Sequence, residues 1–532
     1  MLRFLRYSTL LATALATPLL WYCWREGWVP GWWPALAAVL TMVGLADLVQ
    51  TRHSILRNYP IIGHLRFLFE AVRPELRQYL LESDTDAVPF SRQQRAIVYQ
   101  RAKQDLDKRP FGTQLDAYAA GFEWINHAMQ PAAVASHDFR VPIGGPACAR
   151  TYDASVFNIS AMSFGSLSAN AIRALNRGAK QGGFAHDTGE GSISTYHREH
   201  GGDLIWEIGS GYFGCRDAQG RFDAGRFAEN ARHDQVRMIE LKLSQGAKPG
   251  HGGVLPGPKV TPEIALARGV PAWVECESPA SHSVFDSPIG LLEFIDRLRT
   301  LSGGKPTGFK FAVGHPWEWF AIAKAMQLTG ITPDFIVIDG KEGGTGAAPV
   351  EFIDRMGTPM QEGLMLVHDT LVGLKLRDRV RLGAAGKIVT AFDIARTMAL
   401  GADWCNSARG FMFALGCIQA MKCHTGRCPT GVTTQDLVRQ RALVVPDKAE
   451  RVANFHRNTL RALAELIAAA GLSHPSQLRP HHIVRRVNER EILPLSVLHP
   501  PMQPGELLDG EADSPVFKAF WSRARAETFA AA

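Results

Sequence analysis

From about Tyr152 onward, short apolar runs that end in glycine or a polar residue alternate with amphipathic helical stretches. Phe157–Ala161, Trp273–Cys276, Gly308–Val313, Phe335–Ile338 and Trp404–Asn406 read as strands. Ala169–Gln181, Ile289–Leu301, Trp317–Thr329 and Ala391–Leu400 read as helices between them. Parallel strands need long crossovers, and a helix is the usual one, so this alternation predicts a parallel sheet. The simplest closed form is a (β/α)8 TIM barrel. A doubly wound open sheet is the competing form. No G-x-G-x-x-G follows a strand and no G-x-x-x-x-G-K-[ST] occurs, which disfavours it. The 532 residues leave room for a barrel and further parts.

The N-terminus predicts a transmembrane helical hairpin ahead of this α/β barrel. Eighteen uncharged residues separate Arg6 from Arg25, and twenty separate Glu26 from Asp47. Each run approaches the ~20 apolar residues that cross a bilayer as a helix. Trp21, Trp24, Trp28, Trp32 and Trp33 surround the turn, where amphipathic rings favour the interface. Arg3 and Arg6 precede the first run, and Arg52 and Arg57 follow the second, so the positive-inside rule puts both chain ends in the cytoplasm. The expected place is the inner (cytoplasmic) membrane with the catalytic domain cytoplasmic. A cleaved signal peptide ending near Ala14 and Ala16, or a buried soluble hairpin, are the alternatives. The expected organisation is residues 1–50 as hairpin, 51–150 as a helical collar with helices at Leu65–Tyr79 and Ser91–Leu106, 151–480 as barrel, and 481–532 as a Pro-rich, charged surface tail. A net charge of +7 without a long Lys/Arg run argues against a nucleic-acid partner.

Cys417, Cys423 and Cys428 form C-x5-C-x4-C within twelve residues, in a chain whose other five cysteines are widely spaced. Thiolates are soft ligands for iron–sulfur clusters or zinc. Zinc commonly takes four ligands, and His424 is a poor fourth beside Cys423. Three cysteines suit a 3Fe-4S cluster, and the Cys428-Pro429 ending resembles ferredoxin-type runs. Unliganded thiols are the remaining reading.

Two glycine-rich loops add to this. Asp339–Ala347 follows the strand at Phe335–Ile338, and its amides are suited to close on an anion such as a flavin phosphate. Gln245–Gly257 is too rich in Gly and Pro for helix or strand, and a loop of that length is functional or disordered.

Taken together, residues from about Phe157 to Gln435 resemble the FMN-binding synthase domain of glutamate synthases. The resemblance rests on SAMSFGSLS (Ser160–Ser168), TGEG (Thr188–Gly191), QGAKPGHGG and LPG between Gln245 and Gly257, KEGGTGAAP (Lys341–Pro349) and CIQAMKCHTGRCPTGVTTQ (Cys417–Gln435). The resemblance implies a (β/α)8 barrel carrying FMN beside a 3Fe-4S cluster. It implies electrons reaching the flavin through the cluster, and a hydride passing to the imine of 2-oxoglutarate to give L-glutamate. By matched position, Cys417, Cys423 and Cys428 would hold the cluster, and Ser163, Lys310, Gly343, Gly344 and Thr345 would line FMN. Glu190, Lys248 and Arg268 would contact the 2-oxo acid, Arg being able to grip a carboxylate bidentately.

The sequence departs from the family pattern at two loop positions: Val254 stands for a substrate-binding glutamine and His251 for a glutamate. It shows no N-terminal cysteine nucleophile, no room in 51–150 for a glutaminase domain and no dinucleotide fingerprint. The expectation is therefore an oxidoreductase acting on CH-NH2 donors. It would use external ammonia, with a glutaminase as a possible partner, and an external donor: a ferredoxin-like protein or a membrane reductase. A related, less polar 2-oxo acid is an alternative substrate. A non-catalytic flavin/iron–sulfur relay subunit of a membrane complex is the alternative function.

Overall fold

The computed structural model describes residues 5–51, 53–83, 89–510 and 512–531. Arg3 and Arg52, two of the arginines expected to flank the hairpin, lie outside the described residues. The chain divides into two compact units, Met1–Asp86 and Ala87–Ala532.

The second unit is built on a closed parallel barrel of eight strands. These are β1 (Phe157–Ile159), β2 (His186–Asp187), β3 (Leu204–Ile208), β4 (Val236–Lys242), β5 (Thr307–Phe311), β6 (Phe335–Asp339), β7 (Arg381–Ala385) and β8 (Trp404–Ser407). Cys405 of β8 pairs with Phe157 of β1 and closes the ring. The strands are buried along nearly their whole length, as expected of a parallel sheet covered by helices. The helices at Ala169–Gly182, Pro288–Leu301, Pro316–Thr329 and Ala391–Ala399 match the sequence reading to within a residue or so. Ser168, Ser287 and Thr390 cap three of them by accepting from a backbone N–H in the first turn.

One expected strand is not part of the barrel. Within Trp273–Cys276 only the last residue is in a strand, and Cys276–Glu277 pairs antiparallel with Val254–Leu255 in a small ribbon. Trp273 has φ 64°, a left-handed conformation that a strand interior does not accept, and it is exposed. The ribbon belongs to the long excursion between β4 and β5.

The ends of the second unit pack onto this barrel. The helix Val445–Ala469 buries Val452, Phe455, Leu463 and Ile467. Ile483–Arg486 is the central strand of a small antiparallel sheet with Glu123–Ile125 and Ile492–Pro494, and Glu123 is held by Arg485 at 2.5 Å and Arg396 at 2.9 Å. Beyond it Leu495, Leu507 and Phe517 are buried. The segment read from composition as a surface tail thus carries widely spaced apolar anchors that its prolines and charges obscure.

In the first unit, Ser8–Arg25 and Trp32–Val49 are antiparallel helices joined by a short turn, with Thr17 Oγ1 and Thr41 Oγ1 3.3 Å apart. Their outer faces expose Leu11, Leu15, Leu19, Val39, Met42 and Leu45. Among the described residues one helix, Trp32–Val49, is long and apolar enough to cross a membrane; Ser8–Arg25 is as long but carries Ser8, three threonines and Arg25.

Phe517 stacks on Phe320 at 4.9 Å, and Lys324 Nζ donates to the carbonyls of Trp521 and Ala524 at 2.6 and 2.9 Å. Phe517→Ala is expected to cost about 3 kcal/mol through lost burial and the cavity left behind. Denaturant unfolding of the full chain measures this, and a change below about 1 kcal/mol would mean the C-terminal segment is only loosely seated.

Candidate active site

The motifs singled out in the sequence fall in segments that leave barrel strands. Ser160–Ser168 follows β1, Thr188–Gly191 follows β2, Gln245–Gly257 lies beyond β4, and Lys341–Pro349 follows β6. They therefore gather at the C-terminal face, where (β/α)8 barrels carry their chemistry. The loops touch: a Cβ at Gly246 would stand 1.9 Å from the carbonyl oxygen of Gly340, so only glycine allows this approach.

Glu190, Lys248, Arg268 and Ser163 meet on one side of this face. Burial pushes the Glu190 carboxyl up, but the Lys242 ammonium, the Ser278 hydroxyl and the Arg268 guanidinium outweigh it and bring it down to about 2. The closest of these partners is Lys242, in direct hydrogen-bonded contact with Glu190. Lys248 is buried, donates to the Gly252 carbonyl at 2.6 Å, and is lowered from its ordinary value by burial and then by Lys242. Arg268 is also buried; its Nη2 lies 3.5 Å from Ser163 Oγ and 3.4 Å from the Phe164 carbonyl, and its guanidinium covers the Phe213 ring at 5.1 Å. Among the described residues neither Lys248 nor Arg268 has a carboxylate within ion-pair distance, and Arg268 Nε has no hydrogen-bond partner. Two buried cations with no carboxylate within ion-pair distance, near a Glu190 already bound by Lys242, suit a carboxylate ligand. Val254 is half-buried in the ribbon, and His251 turns to the Gly252 carbonyl at 2.9 Å and the Phe352 ring at 5.4 Å.

Lys310 is placed inside the barrel. Its ammonium contacts Glu207 directly, lies 2.9 Å from Glu240 and 3.8 Å from Asp187, and is fully enclosed. Burial lowers its affinity for a proton, but the three carboxylates overcome this and hold it well above the ordinary lysine range. Sequence reasoning named Lys310 and Glu190 but missed Lys242, Glu207, Glu240 and Asp187, which connect them. The available signal was a charge inside an apolar strand: Glu207 in LIWEI, and Glu240 and Lys242 in VRMIELK.

Gly343, Gly344 and Thr345 are half-buried in the loop after β6. A Cβ at Gly344 would fall 2.1 Å from Arg409 Nη2, so glycine makes room for a guanidinium that the sequence analysis did not identify. Arg409 follows β8 and Lys387 follows β7. Both are half-buried, and each stands 5.7 Å from the Phe90 ring centre. Among the described residues neither has an ion-pair partner within 4 Å. Loops after the seventh and eighth strands are where barrels commonly bind phosphate. Two cations without ion-pair partners, one of them, Arg409, donating to the Glu342 carbonyl at 3.5 Å, and the glycine loop fit the phosphate of FMN.

The three cysteines face one region. Burial pushes Cys417 up to about 12, with Cys423 and Cys428 adding to it. Burial also raises Cys428, but hydrogen bonds from Thr430 and Thr433 prevail and bring it to about 7. Arg409 faces Cys417 and Cys423, and Lys259 donates to the Cys423 carbonyl at 2.8 Å. Three thiols facing one region with cations beside them fit a thiolate-bound metal centre.

Because Glu190 is held near 2, its ion pair contributes stability fully above about pH 4.5 and loses it as pH falls toward 2. Lys242→Met is expected to raise the Glu190 carboxyl above its ordinary range and to cost about 3–5 kcal/mol, since it leaves a buried charge unpaired. Infrared titration of labelled glutamate and denaturant unfolding read the two effects.

Comparison with known proteins bears on this geometry. The family described as a conserved region in glutamate synthase matches residues 147–473. The glutamate synthase large subunit-like protein YerD of Bacillus subtilis is 38% identical over 491 residues, covering 84% of this chain and 93% of that one. The archaeal-type glutamate synthase [NADPH] of Thermotoga neapolitana is 34% identical over 321 residues, 60% of each chain. The archaeal glutamate synthase [NADPH] of Methanocaldococcus jannaschii is 33% identical over 343 residues, 64% of each. The present chain thus spans nearly all of the first relative and under two thirds of the other two. With its barrel, its glycine loops and its cysteine segment inside the matched region, the chain belongs to the glutamate synthase family.

Proposed function

We propose that this chain is a flavin-dependent oxidoreductase of the glutamate synthase type that aminates 2-oxoglutarate reductively to L-glutamate. It would use ammonia and an electron donor from outside the chain. The observation that carries this reading is the pair of buried cations without carboxylate partners, Lys248 and Arg268, beside Glu190 at the C-terminal face of the barrel. A dicarboxylate supplies what they lack. Arg268 would grip one carboxylate, Lys248 would hold the 2-oxo end, and Glu190 would manage the proton or the amine.

FMN held by Arg409, Lys387 and the Gly343–Thr345 loop would supply hydride, and a 3Fe-4S cluster on Cys417, Cys423 and Cys428 would feed it electrons one at a time. The chain's own part is to orient the substrate, keep water out and place the proton. The helical pair at the N-terminus would anchor the protein in the inner membrane with the barrel in the cytoplasm. That reading rests on its exposed leucines, the tryptophans at its turn and its flanking arginines. A membrane reductase or a ferredoxin-like protein would then be the donor, and a glutaminase a possible source of ammonia. A less polar 2-oxo acid is the second reading, because Val254 brings an apolar side chain where the family pattern has an amide.

The test is anaerobic purification of the full chain followed by dithionite, 2-oxoglutarate and ammonia. Flavin absorption, about three irons per chain and glutamate formation are expected. A flavin-loaded, cluster-replete sample that forms no glutamate would reject the assignment, and turnover with apolar 2-oxo acids alone would favour the second reading. Arg268→Ala is expected to lower kcat/KM for 2-oxoglutarate by about 10- to 100-fold, the worth of a charge-assisted hydrogen bond. Membrane fractionation with and without residues 1–50 tests the anchor.

A further inference from the structure

The barrel interior contains more acid than it can neutralise. One side-chain oxygen from each of Asp187, Glu207 and Glu240 lies within 4.8 Å of the other two, and all three residues are buried. One ammonium, Lys310, stands among them. The next cation, Lys242, lies 3.7 Å from Glu207 but is already engaged by Glu190. Asp187, Glu207 and Glu240 thus share the one ammonium not engaged elsewhere, Lys310, in the buried interior. If every acid were ionised, two negative charges would be uncompensated, which a low-dielectric interior does not tolerate; such groups keep a proton instead.

The arrangement also has a direction. Glu207 and Glu240 are register partners on β3 and β4, and Lys310 and Lys242 are register partners on β5 and β4. The charges form a row from Asp187 and Glu240, through Lys310, Glu207 and Lys242, to Glu190. No link in the row exceeds 3.8 Å. It ends at the residue expected to meet the substrate and passes the residue expected to line FMN.

We infer that the enclosed Asp187–Glu207–Glu240 group stores a proton and delivers it to the substrate side of the site through Lys242 and Glu190. This rests on the function proposed above. Reductive amination adds a hydride at carbon and a proton at the imine nitrogen. A bound reduced flavin would supply the electron pair, and the proton leaves a carboxylic acid of the store and ends on the amine. The amine is the stronger base, so the transfer runs downhill. The store is refilled from solvent when product leaves. Glu207 and Lys242 are positioning and conducting residues, since neither is required to touch substrate.

The groups facing the store agree with this. Asp187 is pushed well up by burial and by Glu240 and Glu207, against Lys310; Glu240 is raised by burial and Glu207, also against Lys310. Lys310 and Lys242 stay protonated, and Asp339 on β6, facing Lys310, is itself raised by burial. Arg268 faces Glu190, Lys248 faces Lys242 and Glu190, and so does His282, which burial lowers to about 4.

Two measurements test the inference. The first is the infrared carbonyl band of protonated carboxylic acid at neutral pH, recorded in protein with and without flavin. Asp369→Asn removes another acid held up, to about 7, outside this group. A band that survives Asp369→Asn and is lost in Glu240→Gln or Asp187→Asn is expected; no such band in the wild type would overturn the store. The second uses Glu207→Gln with chemically reduced flavin. Reoxidation by 2-oxoglutarate and ammonia is expected to slow about 100-fold and to gain a larger solvent deuterium isotope effect. Reoxidation by ferricyanide, which takes electrons alone, should keep its rate. An unchanged imine-dependent rate and isotope effect in Glu207→Gln would overturn the delivery route. If Glu207→Gln does not fold, a linear proton inventory for the wild-type step overturns the route and a curved one supports it. A wild type inert toward imine but showing the assigned band would sink the proposed function and leave the store standing.

Discussion

The Lys310 ammonium, enclosed with Glu207, Glu240 and Asp187, is the interaction on which the rest depends. These side chains come from β2, β3, β4 and β5, and only a closed barrel brings the strands round so that they share one interior. Burying such charges is expensive, and a hydrophobic filling of similar volume would be at least as stable. The barrel has thus given up some packing for a charged centre. Removing Lys310 would leave three buried acids without their common cation, whereas removing one acid would lessen the excess of negative charge.

The site above this centre is arranged by charge. On one side the cations Lys248 and Arg268 lack carboxylate partners, and on the other Arg409 and Lys259 turn toward the cysteine segment. Between them the glycine loop after β6 comes close enough to Arg409 that a side chain at Gly344 would displace it. Unmatched cations at the rim and unmatched acids in the core form a gradient that favours drawing an anion in and passing a proton out to it.

Much of the fold was legible in the chain. Helices such as Ala169–Gly182 announce themselves through an apolar face and a capping serine, and strands such as Phe335–Asp339 through unbroken apolar runs. The strands Leu204–Ile208 and Val236–Lys242 were harder to see, because the acids and the lysine that serve the interior interrupt their apolar pattern. Trp273–Cys276 misled in the opposite way. An apolar run looked like a strand, although a left-handed residue at its start bars that conformation. Arg409 and Lys387 were invisible as site residues, since a cation after a short strand has no local signature until the loop facing it is known.

By itself the chain determined the class of fold, the glycine-rich loops and the close spacing of three thiols. Those are matters of periodicity, glycine content and short spacing, which act within a few residues. The tertiary structure alone decided which of these groups meet. Closure of β8 onto β1 and the register of β3, β4 and β5 placed Glu207, Glu240, Lys242 and Lys310 in one dry space. Contacts between residues a hundred positions apart, such as Lys310 with Glu207, are set by strand geometry and burial, and no local pattern encodes them.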